Sequence, residues 1–229
     1  MGRWSREARI LPKTPATSEA STIGTGNPVA VHPFLHAQFL TTAAEWRQLP
    51  GGGAPEVAFA GRSNSGKSSV INVLAQRKRL AYVSRTPGRT QNINFFSLPS
   101  GALLADLPGY GYAAVPGSVQ RHWRAFLTRY LAERGPLIGL VLVMDARHPL
   151  AALDRELLDG FLPSGRPVHA LLSKSDKLST AERRRALEHV RSLLDRDFPL
   201  HGHLIGVQLF SAVDHTGIEE AENAIGAWL

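Results

Sequence analysis

A chain of 229 residues, 43% hydrophobic and 20% charged, has the make-up of one globular domain with room for a tail. It has no cysteine, which excludes disulfides and Cys-ligated zinc or iron–sulfur centres, and no apolar run of the ~18 residues that a membrane span requires. Lys and Arg outnumber Asp and Glu by 26 to 19, and the formal net charge of +7 favours acidic partners, with nucleic acid the commonest.

Residues 1–27 are rich in Ser, Thr, Pro, Gly and Ala and show no periodicity. They read as a disordered, mildly basic tail. They lack the apolar centre of a secretory signal, so a cytoplasmic location is expected. Residues 28–55 read as a leading segment, with Phe34, Phe39, Leu40, Ala44 and Trp46 expected to pack on the domain surface. Pro50-Gly51-Gly52-Gly53 breaks the chain, and the main domain is expected over 56–229.

That domain opens with the apolar run Val57–Ala60, a short buried strand, and a helix is expected from Ser69 to Ala75. Between them lies Gly61-Arg62-Ser63-Asn64-Ser65-Gly66-Lys67-Ser68, which fits G-x-x-x-x-G-K-[ST] completely. Glycines let the backbone wrap closely round phosphate oxygens, and the helix N-terminus adds partial positive charge. Lys67 is expected to reach the β- and γ-phosphates and the Ser68 hydroxyl to ligate Mg²⁺.

Arg77 to Asn92 is basic and turn-rich, with Arg77, Lys78, Arg79, Arg85 and Arg89 and no acidic residue. It reads as a loop that senses the nucleotide. Strands are expected at Ile93–Leu98 and, after the turn Pro99-Ser100-Gly101, antiparallel to it at Ala102–Ala105. A helix over Val119–Ala132 carries Trp123, Phe126, Leu127 and Tyr130 at helical spacing. Leu137–Met144 is continuously apolar, as a central parallel strand is. Helices over about 151–162, 180–196 and 218–229 then alternate with strands at 168–172 and 204–210. The pattern predicts a three-layer α/β domain of P-loop type. Its sheet is expected to hold about six mostly parallel strands with one antiparallel edge strand, and ligand beyond their carboxyl ends.

Three features at predicted strand ends choose the nucleotide. Asp106-Leu107-Pro108-Gly109 supplies a carboxylate for a Mg²⁺ shell and a Gly109 amide for the γ-phosphate. Ser173-Lys174-Ser175-Asp176 stands where GTPases carry N/T-K-x-D. The Asp176 carboxylate can accept from guanine N1–H and N2–H₂, donors that adenine lacks on that edge, so discrimination on the order of 10³-fold is expected. Lys174 can cover base and ribose, while Ser173 is shorter than the common Asn. Phe210-Ser211-Ala212 can offer a backbone N–H, that of Ala212, to guanine O6. The loop residues Gly88, Arg89, Thr90, Gln91 and Asn92 are further candidates for nucleotide contact. Thr90 is the first candidate hydroxyl for Mg²⁺, with Thr86 as competitor, and position alone does not decide between them. Lys67, Thr90 and Gly109 are the candidates for a direct part in catalysis.

The phosphate loop, Thr86-Pro87-Gly88-Arg89-Thr90-Gln91, Asp106-Leu107-Pro108-Gly109-Tyr110-Gly111-Tyr112-Ala113, Met144-Asp145-Ala146-Arg147-His148-Pro149 and Ser173-Lys174-Ser175-Asp176-Lys177-Leu178 together resemble the EngB family of bacterial GTPases. The likeness covers roughly Phe34 to Leu229. It implies a GTPase needed for assembly of the large ribosomal subunit and linked to cell division and septation. It also implies GTP/GDP and Mg²⁺ as cofactors, with Ser68, Thr90 and Asp106 near the metal, and the large-subunit precursor as partner. A monomer is expected, with no membrane and no DNA specifically implied.

Tyr110 stands where many GTPases carry a water-orienting Gln, so slow intrinsic hydrolysis is expected, helped by ribosomal particles or by a monovalent cation, K⁺, at Asn64. Arg183, Arg184, Arg185 and Arg191 form a second basic group that could meet rRNA phosphates. The rival readings are a P-loop ATP-dependent kinase or ATPase and a non-catalytic nucleotide-stabilised module. Asp176 opposes the first, and Lys67, Ser68 and Asp106 oppose the second.

Overall fold

Seven strands and five α-helices, alternating from β4 onward, make up a computed structural model that describes residues 32–81, 92–111 and 117–229, with only the backbone described for 117–123. The strands are β1 (Gln38–Ala43), β2 (Glu56–Gly61), β3 (Ile93–Ser97), β4 (Leu103–Asp106), β5 (Leu137–Asp145), β6 (Val168–Ser173) and β7 (Ile205–Leu209). The helices are α1 (Lys67–Leu74), α2 (Gly117–Glu133), α3 (Ala152–Phe161), α4 (Thr180–Asp197) and α5 (Ile218–Gly226). The expected tail, residues 1–27, and the loop residues Thr86, Gly88, Arg89, Thr90 and Gln91 lie outside the described residues, as does Tyr112.

The sheet order is β1-β3-β4-β2-β5-β6-β7. β4, β2, β5, β6 and β7 pair in parallel, whereas β3 is antiparallel to both of its neighbours, β1 and β4. The expected α/β sheet of about six mostly parallel strands with antiparallel pairing at one edge is what forms; the described residues hold seven strands, and the reversed one, β3, lies one place inside the edge. The extra strand is β1, in the segment read as surface packing. Phe34 in that segment is fully buried, but Phe39 and Leu40 face solvent, 59% and 48% exposed.

Side chains of successive strand residues point to opposite faces, and the core divides accordingly. Ala58 and Ala60 of β2 and Leu140, Leu142 and Met144 of β5 pack with Phe126, Tyr130, Phe161 and Leu194 of α2, α3 and α4. Val57, Phe59, Val141 and Val143 pack on the other face with Ile71, Leu74 and Ile225 of α1 and α5. Helices thus cover both faces, as a largely parallel sheet requires.

The amino end of β2 is anchored by a buried carboxylate. Glu56 accepts the Tyr130 phenol at 2.8 Å and the Arg134 Nε at 3.0 Å. The opposite, carboxyl ends of β2, β4, β5, β6 and β7 carry the motifs, so the sheet brings them to one edge.

Candidate nucleotide-binding site

The phosphate loop leaves β2 at Gly61 and enters α1 at Lys67. Gly66 caps the helix in the left-handed region, with φ of 95°, a conformation that side-chain-bearing residues adopt only at a cost. The Lys67 ammonium meets the Asp106 carboxylate at the end of β4, and the two side chains are only 10% and 6% exposed. The cation expected at the phosphates and the carboxylate expected at a Mg²⁺ shell therefore sit side by side. Ser68 follows in the first helical turn.

Gly109 lies against this loop. A Cβ there would stand 3.1 Å from Ser63 Cα and 3.1 Å from its Oγ, so only glycine fits without displacing the loop. Backbone bonds hold the approach. Ser63 N donates to the Tyr110 carbonyl at 2.8 Å, and Tyr110 N donates to the Gly61 carbonyl at 3.3 Å. Leu107 and Pro108 are buried beneath, while Gly109 is exposed.

Tyr110, at the position where many GTPases carry Gln, engages α3 through its phenol. Its hydroxyl donates at 2.7 Å to Asp154, a fully buried carboxylate at the start of α3 that also accepts the Ala151 amide at 2.8 Å. Burial, reinforced by Asp154, drives the Tyr110 phenol far above its ordinary range, so it stays a neutral donor. Burial likewise raises the Asp154 carboxyl. Tyr110 is thus a tether between the loop after β4 and α3.

Ser173 and Lys174 close the site from β6. The short Ser173 side chain does reach the phosphate loop: its hydroxyl contacts the Ser65 carbonyl and lies 3.0 Å from the Met144 carbonyl. Lys174, in the left-handed region, stretches its ammonium to the Asn64 carbonyl at 2.5 Å and to Asp145 Oδ2 at 3.0 Å. Asp145, at the end of β5, also receives Arg147 Nε at 2.9 Å. Burial works to raise its carboxyl, but Arg147 and Lys174 hold it well below the usual carboxylate range. Spacing alone gave Asp145 no role. Its sequence signals were the apolar run that ends there and the resemblance of Met144-Asp145-Ala146-Arg147-His148-Pro149 to the family.

Replacing Ser173 with Ala removes the hydroxyl between β6 and the phosphate loop. GDP dissociation should speed up about 10-fold, with a stability loss of roughly 1–2 kcal/mol. Stopped-flow release and denaturant unfolding measure the two effects.

The motif expected to read the base forms a short turn over Ser175–Lys177, and the Asp176 side chain is 11% exposed. Its Oδ1 accepts the Ser211 hydroxyl at 2.8 Å and its Oδ2 lies 3.3 Å from the Lys177 ammonium. The Ser211 bond is the main reason that the carboxyl titrates below its ordinary value, with Lys177 assisting. It is anionic at neutral pH, as an acceptor for two guanine donors must be. Ser211 and Phe210 are fully buried, and Phe210 accepts the Ser175 amide at 3.2 Å. Ala212, half-buried, follows Ser211 at the rim.

Ser63, Asn64, Ser65, Gly66, Lys67, Ser68, Asp106, Gly109, Ser173, Lys174, Asp176, Phe210, Ser211 and Ala212 therefore converge at the carboxyl edge of the sheet. Arg62 is exposed at its rim and Asn92 lies just before β3. Of the second basic group, Arg183 bonds the Ser175 carbonyl and Asp214, each at 2.8 Å. Arg184, by contrast, is 77% exposed.

A family of sequences described as 50S ribosome-binding GTPase matches residues 56–174. The probable GTP-binding protein EngB of an Azoarcus species is 54% identical over 196 residues, which is 86% of this chain and 92% of that protein. The protein of the same name from Thiobacillus denitrificans is 54% identical over 194 residues, 84% of this chain and 91% of that one. Among solved structures, a probable GTP-binding protein engB superposes with a TM-score of 0.57 at 21% identity, covering 75% of this chain and 97% of that chain.

Proposed function

Given that the chain belongs to the EngB family of GTP-binding proteins and is a GTPase, we propose that it acts as a nucleotide-controlled switch in assembly of the large ribosomal subunit, and that its part in cell division and septation follows from that role. The observation that carries the reading is the junction of Gly109 with the phosphate loop, close to the Lys67–Asp106 pair. A γ-phosphate bound there would press on the segment that Tyr110 ties to α3, and its loss would release that pressure. The description of the matched family, 50S ribosome-binding GTPase, supports the partner. So does the exposed run Arg77-Lys78-Arg79 just after α1, which offers cations to rRNA phosphates.

The donors present suit Mg²⁺. Ser68 and Asp106 supply a hydroxyl and a carboxylate, hard oxygen ligands close to where phosphates would lie. Mg²⁺ in such sites is held by one or two protein oxygens, with phosphates and water supplying the rest. When bound, the cation would neutralise charge on the β- and γ-phosphates. Thr90 remains the proposed third ligand. Asn64 is exposed at a left-handed turn of the phosphate loop, where K⁺ would add charge compensation. With the Tyr110 ring engaged by Asp154, no side-chain amide follows Gly109 to orient water, and the unaided reaction is slow.

Among the described residues no helix is long and apolar enough to cross a membrane, and a cytoplasmic site of action is part of the proposal. Cosedimentation with large-subunit precursors tests the switch. Binding should be about 10-fold tighter with a non-hydrolysable GTP analogue than with GDP, and should weaken steeply with salt. Equal binding in both nucleotide states would remove the switch.

A further inference from the structure

The carboxylate expected to read guanine sits in a closed ring of bonds that passes through α4. Ser211 Oγ donates to Asp176 Oδ1 at 2.8 Å and accepts the Asp214 amide at 3.2 Å. Asp214 Oδ2 accepts Arg183 Nη2 at 2.8 Å. Arg183 Nε in turn donates to the Ser175 carbonyl at 2.8 Å and to the Leu178 carbonyl at 3.2 Å. Ser175 is covalently joined to Asp176, which completes the circuit.

Each link has a local cause. Ser179 and Glu182 form a reciprocal cap, with Ser179 N to Glu182 Oε2 at 2.8 Å and Glu182 N to Ser179 Oγ at 3.4 Å. The cap starts α4 directly after the base-reading turn and turns Arg183, in the first helical turn, back over Ser175. Asp214 is fixed in its loop by the Thr216 hydroxyl at 2.7 Å and amide at 3.1 Å. The planar guanidinium fork then spans the loop after β6 and the loop after β7, a geometry that an ammonium cannot reproduce. The Arg183 side chain is only 26% exposed, so its bonds are partly shielded from water.

We propose that Arg183 is a positioning residue for guanine selection: by bracing the Ser175 carbonyl against Asp214 it holds Asp176 and the Ser211–Ala212 backbone at the spacing that the base requires. Besides Arg183, the two loops are joined by the Ser211–Asp176 bond and by Ser175 N to the Phe210 carbonyl at 3.2 Å. Arg183 adds a charge-assisted strut from outside the pocket, where it does not touch the base. The inference builds on the reading of Asp176 as the guanine acceptor.

The test is equilibrium binding of GDP and IDP to the full chain and its variants. Hypoxanthine keeps guanine N1–H and O6 but lacks the 2-amino group, so the GDP-to-IDP preference reports contact with that group. Arg183→Met should weaken GDP about 10-fold and IDP about 3-fold or less, shrinking the preference. Asp214→Asn should shift it the same way, and does so even if Arg183→Met proves too unstable to purify. Arg183→Lys should restore the preference only in part. Equal weakening of GDP and IDP in Arg183→Met and Asp214→Asn, or an unchanged preference in both, overturns the role of Arg183. Asp176→Ala separates the two levels. If it too leaves the preference unchanged, the assignment of Asp176 is wrong; if it alone abolishes the preference, the failure belongs to Arg183.

Discussion

Lys67→Ala should lower kcat/KM for GTP by about 10³-fold, because a preorganised cation aimed at developing phosphate charge in a site shielded from water is worth several kcal/mol. The structure adds a second consequence. Lys67 is the partner of Asp106, and both side chains are nearly buried. Removing the ammonium leaves a carboxylate enclosed at the end of β4 with its charge uncompensated. Breaking a buried pair from one side costs roughly 3–5 kcal/mol in stability. Asp106 then also faces the incoming phosphates as a bare anion. The two effects separate in a double variant. Lys67→Ala with Asp106→Asn should regain most of the lost stability in thermal unfolding and none of the lost hydrolysis. If Lys67→Ala unfolds at the wild-type temperature, the ion pair is not a structural element of the site.

Asp176→Ala should remove the preference for GTP over ATP, a change on the order of 10³-fold in the ratio of affinities. The carboxylate has the right surroundings for a selective acceptor. It is mostly enclosed, it is kept anionic by the Ser211 hydroxyl, and one oxygen faces the Lys177 ammonium at 3.3 Å. Against guanine, a two-donor edge satisfies it. Against adenine, it keeps Ser211 and Lys177 but meets no donor from the base, and that unmet desolvation is the source of selectivity. The variant loses the reader but keeps Lys67, Gly66 and Ser173, so residual affinity for phosphates should persist. Competition of unlabelled nucleotides against a fluorescent GDP measures the ratio.

The phosphate loop, Asp106–Gly109 and Ser173–Asp176 were legible because their chemistry depends on residue type at fixed short spacing, and each follows an apolar strand. The central strands were legible for the same local reason: Leu137–Met144 and, His169 apart, Val168–Leu172 are apolar because both faces are covered. β1 was not. It pairs on one side only, its register slips between Phe39 and Thr41, and consecutive Phe39 and Leu40 both face solvent. A strand so placed loses the alternation that would announce it. Three consecutive arginines, 183 to 185, look equivalent in one dimension. The phase set by the Ser179–Glu182 cap turns one of them toward Ser175, and its other partner is 31 residues away. The Tyr110 hydroxyl finds Asp154 across 44 residues, a contact that no local pattern encodes. Helix α5 ends at Gly226 rather than running to Leu229, and Trp228 lies against Gly139 of β5.

The most direct test of guanine selection is the binding of GDP and XDP to Asp176→Asn beside the wild type. Xanthine carries a carbonyl oxygen where guanine carries the 2-amino group, and the Asn amide supplies the matching donor. The account predicts that wild type prefers GDP and that Asp176→Asn prefers XDP. An Asp176→Asn protein that still prefers GDP by the wild-type margin would contradict it.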